Sequence, residues 1–325
     1  MNTIGLGNAL VDVLLRLKSD DVLSEVGMQK GAMDMIDQDK MVKIRHSQEG
    51  LERSQAPGGS VCNTMRAMAF LGAKTGFIGK IGSDAVGSYY EEALQKAGVT
   101  PHFIKTEGIS GSCTVLISPD GERTMATFLG PAPTITPDEI TEEMLSNYQC
   151  IYIEGYLLVN EDLVRSTMQK AKRLGLKVAL DLSNFNIVNA FRGLLEEIIP
   201  NYVDILFSNE SEAEAFTGKP AKEAVSMLSE LVEVSLVTIG KEGALVGSKG
   251  EVWQIPAEGG KPVDTTGAGD HFAAGFLYGQ SVGATLEQSA RIGSIVAGHI
   301  IEVVGAQIPD DKWEQIKLKV NRILA

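Results

Sequence analysis

Residues 263–276 read V-D-T-T-G-A-G-D-H-F-A-A-G-F. Two glycines precede an aspartate, and an apolar helix is expected to begin directly after it. A glycine-rich turn at a helix N-terminus aims several unpaired backbone N–H groups at one point, and the helix dipole adds positive potential there. Gly267, Ala268 and Gly269 therefore form a candidate anion hole suited to phosphate. Asp270 sits at its edge. A carboxylate in that place can take a proton from an attacking hydroxyl while the amides stabilise charge on a moving phosphoryl group. The competing reading makes Asp270 a plain N-cap, because aspartate is favoured there. On the residues of this segment alone the two readings stand level.

Other stretches carry weaker chemistry. Residues 58–63, G-G-S-V-C-N, open an apolar run over 60–71 that reads as a helix stopped by Gly72. Residues 209–212, N-E-S-E, follow an expected strand and start a helix. Their oxygens suit a hard cation that keeps several waters, though a solvated acidic helix start looks the same. Residues 238–243, T-I-G-K-E-G, leave a strand through two glycines, as a bare hairpin also does. Asn8 and Asp12 lie just past the first strand. A carboxylate at Asp12 is able to accept from two vicinal hydroxyls, or to cap a turn. Arg123 follows the P-D-G turn at 119–121 and reads as a solvated hairpin charge.

The D-T-T-G-A-G-D run over 264–270 closely resembles the second signature of the ribokinase-like (PfkB) family of carbohydrate and nucleoside kinases. The first signature is matched by Gly58, Gly59, Ser60 and Asn63, then by L-G-A at 71–73 and G-F-I-G-K-I-G-S-D at 76–84. The two lie about 200 residues apart, in the family's order. The resemblance implies an ATP-dependent kinase with Asp270 as catalytic base and Gly267, Ala268 and Gly269 as its anion hole. It implies Asn8, Asp12, Gly58, Gly59 and Asn63 as substrate contacts, and Asn209, Thr238, Gly240 and Gly243 beside the nucleotide. Segment 298–305 is expected to flank the adenine. Glu212 is expected to hold Mg2+ through water, and Asp264 and Thr266 a monovalent cation, K+. The G-G-S-x-x-N form, with G-N-A-L-V-D at 7–12, is similar to adenosine kinases rather than to the G-G-K-G-A-N or G-G-A-P-A-N of sugar kinases. The implied acceptor is a ribonucleoside, adenosine favoured, with ribose, fructose or 2-keto-3-deoxygluconate as the alternative. Met33, Phe128 and Leu129 are candidates for a nucleobase wall. One departure is His271, where the family has a small residue. Its ring is expected on the solvent or inter-helix side of the first turn rather than in the anion hole.

Composition narrows the rivals. The chain has 325 residues, 44% hydrophobic and 22% charged, with a net charge of -13. Such an acidic balance argues against nucleic acid and anionic membrane surfaces as partners and leaves a small molecule. Three widely spaced cysteines, Cys62, Cys113 and Cys150, read as reduced thiols. Residues 1–17 begin without a basic region and carry Asp12, so no signal peptide is expected, and no apolar run is long enough for a membrane span. A cytoplasmic location follows as the expectation. The G-L-G at 5–7 lacks the third glycine of a dinucleotide fingerprint, because position 10 is leucine. The G-x-x-x-x-G-K-[ST] loop is absent. A binding-only sensor has no need of the base at Asp270.

Elements must position these residues. From Cys150 onward, expected strands at 150–154, 177–181, 203–207 and 231–239 alternate with helices at 161–174, 187–198 and 210–216. That alternation predicts an α/β fold with a doubly wound, mainly parallel sheet flanked by helices. Earlier stretches at 31–36 and 111–128 predict a small antiparallel sheet inserted as a lid. The expected boundaries are 1–11, 37–99 and 131–325 for the core, and 12–36 and 100–130 for the lid. The lid's open face is also a candidate homodimer contact.

Overall fold

The computed structural model describes residues 1–46 and 53–325. Its strands are β1 (Thr3–Leu6), β2 (Leu10–Arg16), β3 (Met33–Met35), β4 (Arg53–Gly58), β5 (Thr75–Gly82), β6 (Val99–Thr106) and β7 (Gly111–Ile117). They continue as β8 (Arg123–Phe128), β9 (Cys150–Glu154), β10 (Lys177–Asp181), β11 (Ile205–Asn209), β12 (Val234–Thr238), β13 (Ala244–Ser248) and β14 (Glu251–Ile255). Nine of them form one sheet in the order β14-β13-β12-β11-β10-β9-β1-β5-β6, and five form a second in the order β3-β8-β7-β2-β4. The large sheet is parallel from β6 to β12 and ends in an antiparallel edge. The expected doubly wound α/β architecture with a separate small sheet is therefore what the chain adopts.

Central strands read as unbroken apolar runs because helices cover both faces of the sheet. β9, C-I-Y-I-E, is buried throughout. In β1 the period of two sorts the side chains. Ile4 and Leu6 enter one apolar layer, while Gly5 and Gly7 face the helix Ser60–Leu71. A Cβ at Gly5 would collide with Val61, and one at Gly7 would stand 2.7 Å from a Glu154 carboxylate oxygen. The G-L-G run is thus a packing device that lets the helix lie close on β1. Strand order reverses between β1 and β9, and ligands of such sheets bind beyond the carboxyl ends of strands at that switch point.

The small sheet corrects two boundaries and one polarity. β4, at 53–58, belongs to it, whereas β6, at 99–106, pairs in parallel with β5 over its whole length and belongs to the large sheet. β2 pairs in parallel with β7, and β3 with β8, so the small sheet is mixed rather than antiparallel. The turn at 119–121 is the expected hairpin, closed by Ser118 N–H on the Glu122 carbonyl at 2.9 Å. A helix over Gln38–His46 was not expected, and the helix expected at 187–198 is two, Phe185–Ala190 and Arg192–Tyr202. No helix among the described residues is long and apolar enough to cross a membrane.

Candidate active site

Two helices bring their N-termini together at the switch point. Ser60–Leu71 starts after Gly59, and Ala268–Ser281 starts after Gly267, whose φ of 77° suits glycine. Asp270 lies in the first turn of the second helix. Its Oδ1 accepts from Ser60 Oγ at 2.7 Å and its Oδ2 from Asn63 Nδ2 at 2.8 Å. The Asp270 carbonyl also accepts from Thr64 Oγ1 at 3.1 Å. Burial pushes the Asp270 carboxyl upward, and the Asn63 and Ser60 bonds only partly offset it. A carboxylate raised in this way is a better proton acceptor than a free aspartate. Asn63, expected against the substrate, donates to Asp270, and its own Oδ1 is buried without a partner among the described residues.

Asn8, Asp12, Gly58 and Gly59 gather beside this pair. Gly58 packs directly on the Asp12 carboxylate, where any side chain would collide. Gly59 has φ 93°, and a Cβ there would stand 2.5 Å from the Asn8 carbonyl oxygen. Burial, with Asp270 adding repulsion, pushes Asp12 up to about 7. Sequence reasoning missed Glu154. It ends β9, is 1% exposed, and has no cationic partner among the described residues. Its Oε1 accepts from the Asn8 backbone N–H at 3.0 Å and from Asn8 Nδ2 at 2.6 Å, and its Oε2 from Val61 N–H at 3.3 Å. Burial raises it to about 7 against the pull of those donors. A charged residue closing an apolar strand, C-I-Y-I-E, was the available signal.

A cavity of about 630 Å3 opens from Asp270 toward Asn209, Glu212 and Asp181. Asn209 caps the helix Glu210–Thr217: its Oδ1 accepts from Glu212 N–H at 3.0 Å, and its Nδ2 donates to Glu212 Oε1 at 2.7 Å. Asp181, at the carboxyl end of β10, was also missed; Tyr152 Oη donates to it at 3.1 Å and Ser183 N–H at 2.9 Å. Burial raises both Glu212 and Asp181, with repulsion from Asp181 adding at Glu212 and from Asp270 at Asp181, and among the described residues no basic side chain lines the cavity. This set fits a hard divalent cation held through water. A second cavity of about 500 Å3 adjoins it, lined by Thr238, Gly240, Gly243, Gly298 and Ile301. Thr238 and Gly240 line both cavities, Asn209 the first, and Gly243 with Gly298 and Ile301 of segment 298–305 the second. Met33, Phe128 and Leu129 line neither cavity.

One further residue departs from the sequence reading. Arg123 is no solvated hairpin charge. Its Nη1 lies 2.7 Å from Asp264 Oδ2, so the hairpin of the small sheet touches the turn before the anion hole. His271 is 2% exposed and on the inter-helix side, as expected. Its Nδ1 carries the hydrogen and donates to the Gly267 carbonyl at 2.8 Å, because a carbonyl only accepts. Burial pushes its pKa down to about 4, so the ring is neutral.

A model of the pfkB family carbohydrate kinases matches residues 32–313, and the chain belongs to that family. It is a phosphotransferase of a family whose members use ATP. An adenosine kinase of Saccharomyces cerevisiae is 31% identical over 281 residues, 80% of this chain and 82% of the relative. A ribokinase of Haemophilus influenzae is 27% identical over 263 residues, 78% and 83% of the two chains. The adenosine kinase from Sinorhizobium meliloti superposes with a TM-score of 0.85 at 30% identity, covering 100% of this chain and 99% of that one. Nucleoside and sugar kinases thus both stand among the relatives.

Proposed function

We propose that the chain transfers the γ-phosphoryl group of ATP to the hydroxymethyl group of a ribonucleoside, with adenosine favoured. Asp270 removes the hydroxyl proton as the oxygen–phosphorus bond forms; the bond to the β-phosphate oxygen breaks, and ADP leaves. The amides of Gly267, Ala268 and Gly269 receive the phosphoryl charge. Asn209 and Glu212, with Asp181, would hold Mg2+ through water, which neutralises phosphate charge when bound.

The observation that carries the acceptor class is a pattern on the small sheet. Register places Asp12, Cys113, Thr127 and Met35 in one row on one face. The next row on that face is Leu14, Val115, Met125 and Met33. A carboxylate able to hold ring hydroxyls therefore adjoins an apolar strip, of which Met33 is 62% and Met35 63% exposed. A free sugar has no use for such a strip; a nucleobase does. A coupled ADP-release screen of nucleosides and free sugars tests the reading. The expected result is turnover on adenosine well above any sugar. Turnover on ribose, fructose or 2-keto-3-deoxygluconate with none on any nucleoside overturns it.

A further inference from the structure

We propose that Arg123 supplies, from the small sheet, the positive charge that the family resemblance assigns to a monovalent cation beside the anion hole. The kinase then needs no K+. The inference rests on the kinase reading and concerns the regulation of the same site.

The side-chain oxygens of Asp264 and Thr266 are committed. Asp264 Oδ1 accepts from Thr266 N–H at 3.1 Å and from Thr266 Oγ1 at 2.8 Å. Asp264 Oδ2 accepts from Gly305 N–H at 2.6 Å and pairs with Arg123 Nη1 at 2.7 Å. Arg123 Nη1 also donates to Thr266 Oγ1 at 3.4 Å. Two carbonyls nearby are engaged as well: Ile301 O accepts from Val263 N–H at 2.7 Å and Asp264 N–H at 3.2 Å, and Thr265 O from Ala268 N–H at 3.1 Å. A desolvated K+ needs a ring of oxygens with lone pairs turned inward. While Arg123 is seated the side chains of Asp264 and Thr266 turn no lone pair inward, and a second cation beside the guanidinium would be repelled.

The pair is sheltered, with Arg123 22% and Asp264 12% exposed at their side chains, so solvent screens it less than a surface bridge. Burial raises the Asp264 carboxyl, but Gly305, Thr266 and Arg123 together outweigh it and leave it below the usual range. The arginine is also aimed. It opens β8 directly after a hairpin whose Asp120 is tied at 2.6 Å to Lys30, which in turn reaches Asp20 at 2.7 Å. The cationic charge therefore travels with the small sheet. When that sheet lifts, the turn loses its partner; when it seats, the anion hole regains it. A free ion would not couple the two motions.

Turnover and melting temperature in KCl and in tetramethylammonium chloride, at fixed ionic strength, test the proposal on wild type, Arg123→Met and Arg123→Lys. Wild-type rates should agree within about twofold between the salts, and Arg123→Met should lose about tenfold or more in tetramethylammonium, the size of one charge-assisted hydrogen bond. KCl should restore part of that loss and raise the melting temperature of Arg123→Met alone. Arg123→Lys keeps a charge and should stay indifferent to K+. A wild-type rate or melting temperature that depends on K+ overturns the proposal, as does an Arg123→Met variant with wild-type turnover in both salts. Should Arg123→Met fail to fold, the wild-type and Arg123→Lys arms still decide. Should no acceptor be turned over in either salt, the kinase reading fails, and the wild-type melting comparison still decides this one.

Discussion

Asp270 holds two hydrogen-bond donors and still faces the larger cavity, so its replacement separates proton transfer from binding. Asp270→Asn should lower kcat by about 10²- to 10⁴-fold, because an amide cannot take the proton. Its affinity for ATP, measured by titration calorimetry, should be unchanged; loss of binding in step with turnover would assign Asp270 a structural role instead. Asp12 makes a different prediction. Burial pushes its carboxyl up to about 7, and the ionised form accepts from two hydroxyls with one oxygen each, where the protonated form turns one oxygen into a donor. The acceptor KM should therefore rise as pH falls through about 7, and Asp12→Asn should hold a high KM that no longer varies with pH over that range. An unvarying wild-type KM from pH 6 to 8.5 would contradict it. At this scale the sequence made local groups legible and distant ones not. Gly267 to Asp270 are contiguous, and their geometry follows from one helix start. Glu154, Asp181 and Arg123 acquire meaning only from partners brought up by the sheets; even the charge that closes C-I-Y-I-E does not say what Glu154 holds.

The regular βα units of the second half were readable because each apolar run is covered on both faces and bounded by a capped helix. The small sheet was harder. β4, R-S-Q-A-P-G, is an edge strand with three exposed residues and a proline, so it has neither alternation nor strand-forming side chains. β3 has only three residues. β6 follows a helix through Gly98, yet its half-buried pattern does not separate it from the strands that come after. The small sheet carries Asp12, proposed to hold the acceptor, on β2, and Arg123, which pairs with Asp264 in the turn before Gly267, on β8. We therefore expect it to seat when both ligands are present. Hydrogen exchange should slow in β2, β7 and β8 on adding adenosine with a non-hydrolysable ATP analogue, more than with either alone. Protection confined to residues around Asp270 would mean a rigid lid.

For the whole molecule, the cluster of raised carboxyls sets how stability varies with pH. Asp12 and Glu154 titrate at about 7 in the fold, against roughly 4 for free Asp and Glu. The fold retains protons that the unfolded chain has released, so their stabilising contribution is lost as pH rises through about 7. Asp181 and Glu212 shift in the same direction. His271, held neutral, acts oppositely, but only below the unfolded histidine value of about 6.5. The melting temperature of the ligand-free protein should therefore fall between about pH 6.5 and 8.5, and Glu154→Gln should flatten that slope. A melting temperature that climbs over this window would refute the account. One feature reaches beyond the finished protein. Ser60 and Asn63 meet Asp270 across 210 and 207 residues of chain. Translation at about 5–20 residues per second leaves many seconds between the emergence of the two donors and that of the carboxylate they hold. During that interval the early half has no base, and the helix Ala268–Ser281 still awaits its packing partner, Leu286–Ile300. With the proposed role of Asp270, a nascent chain of this protein is therefore chemically silent: it cannot spend ATP before the helix that carries Asp270 has been made.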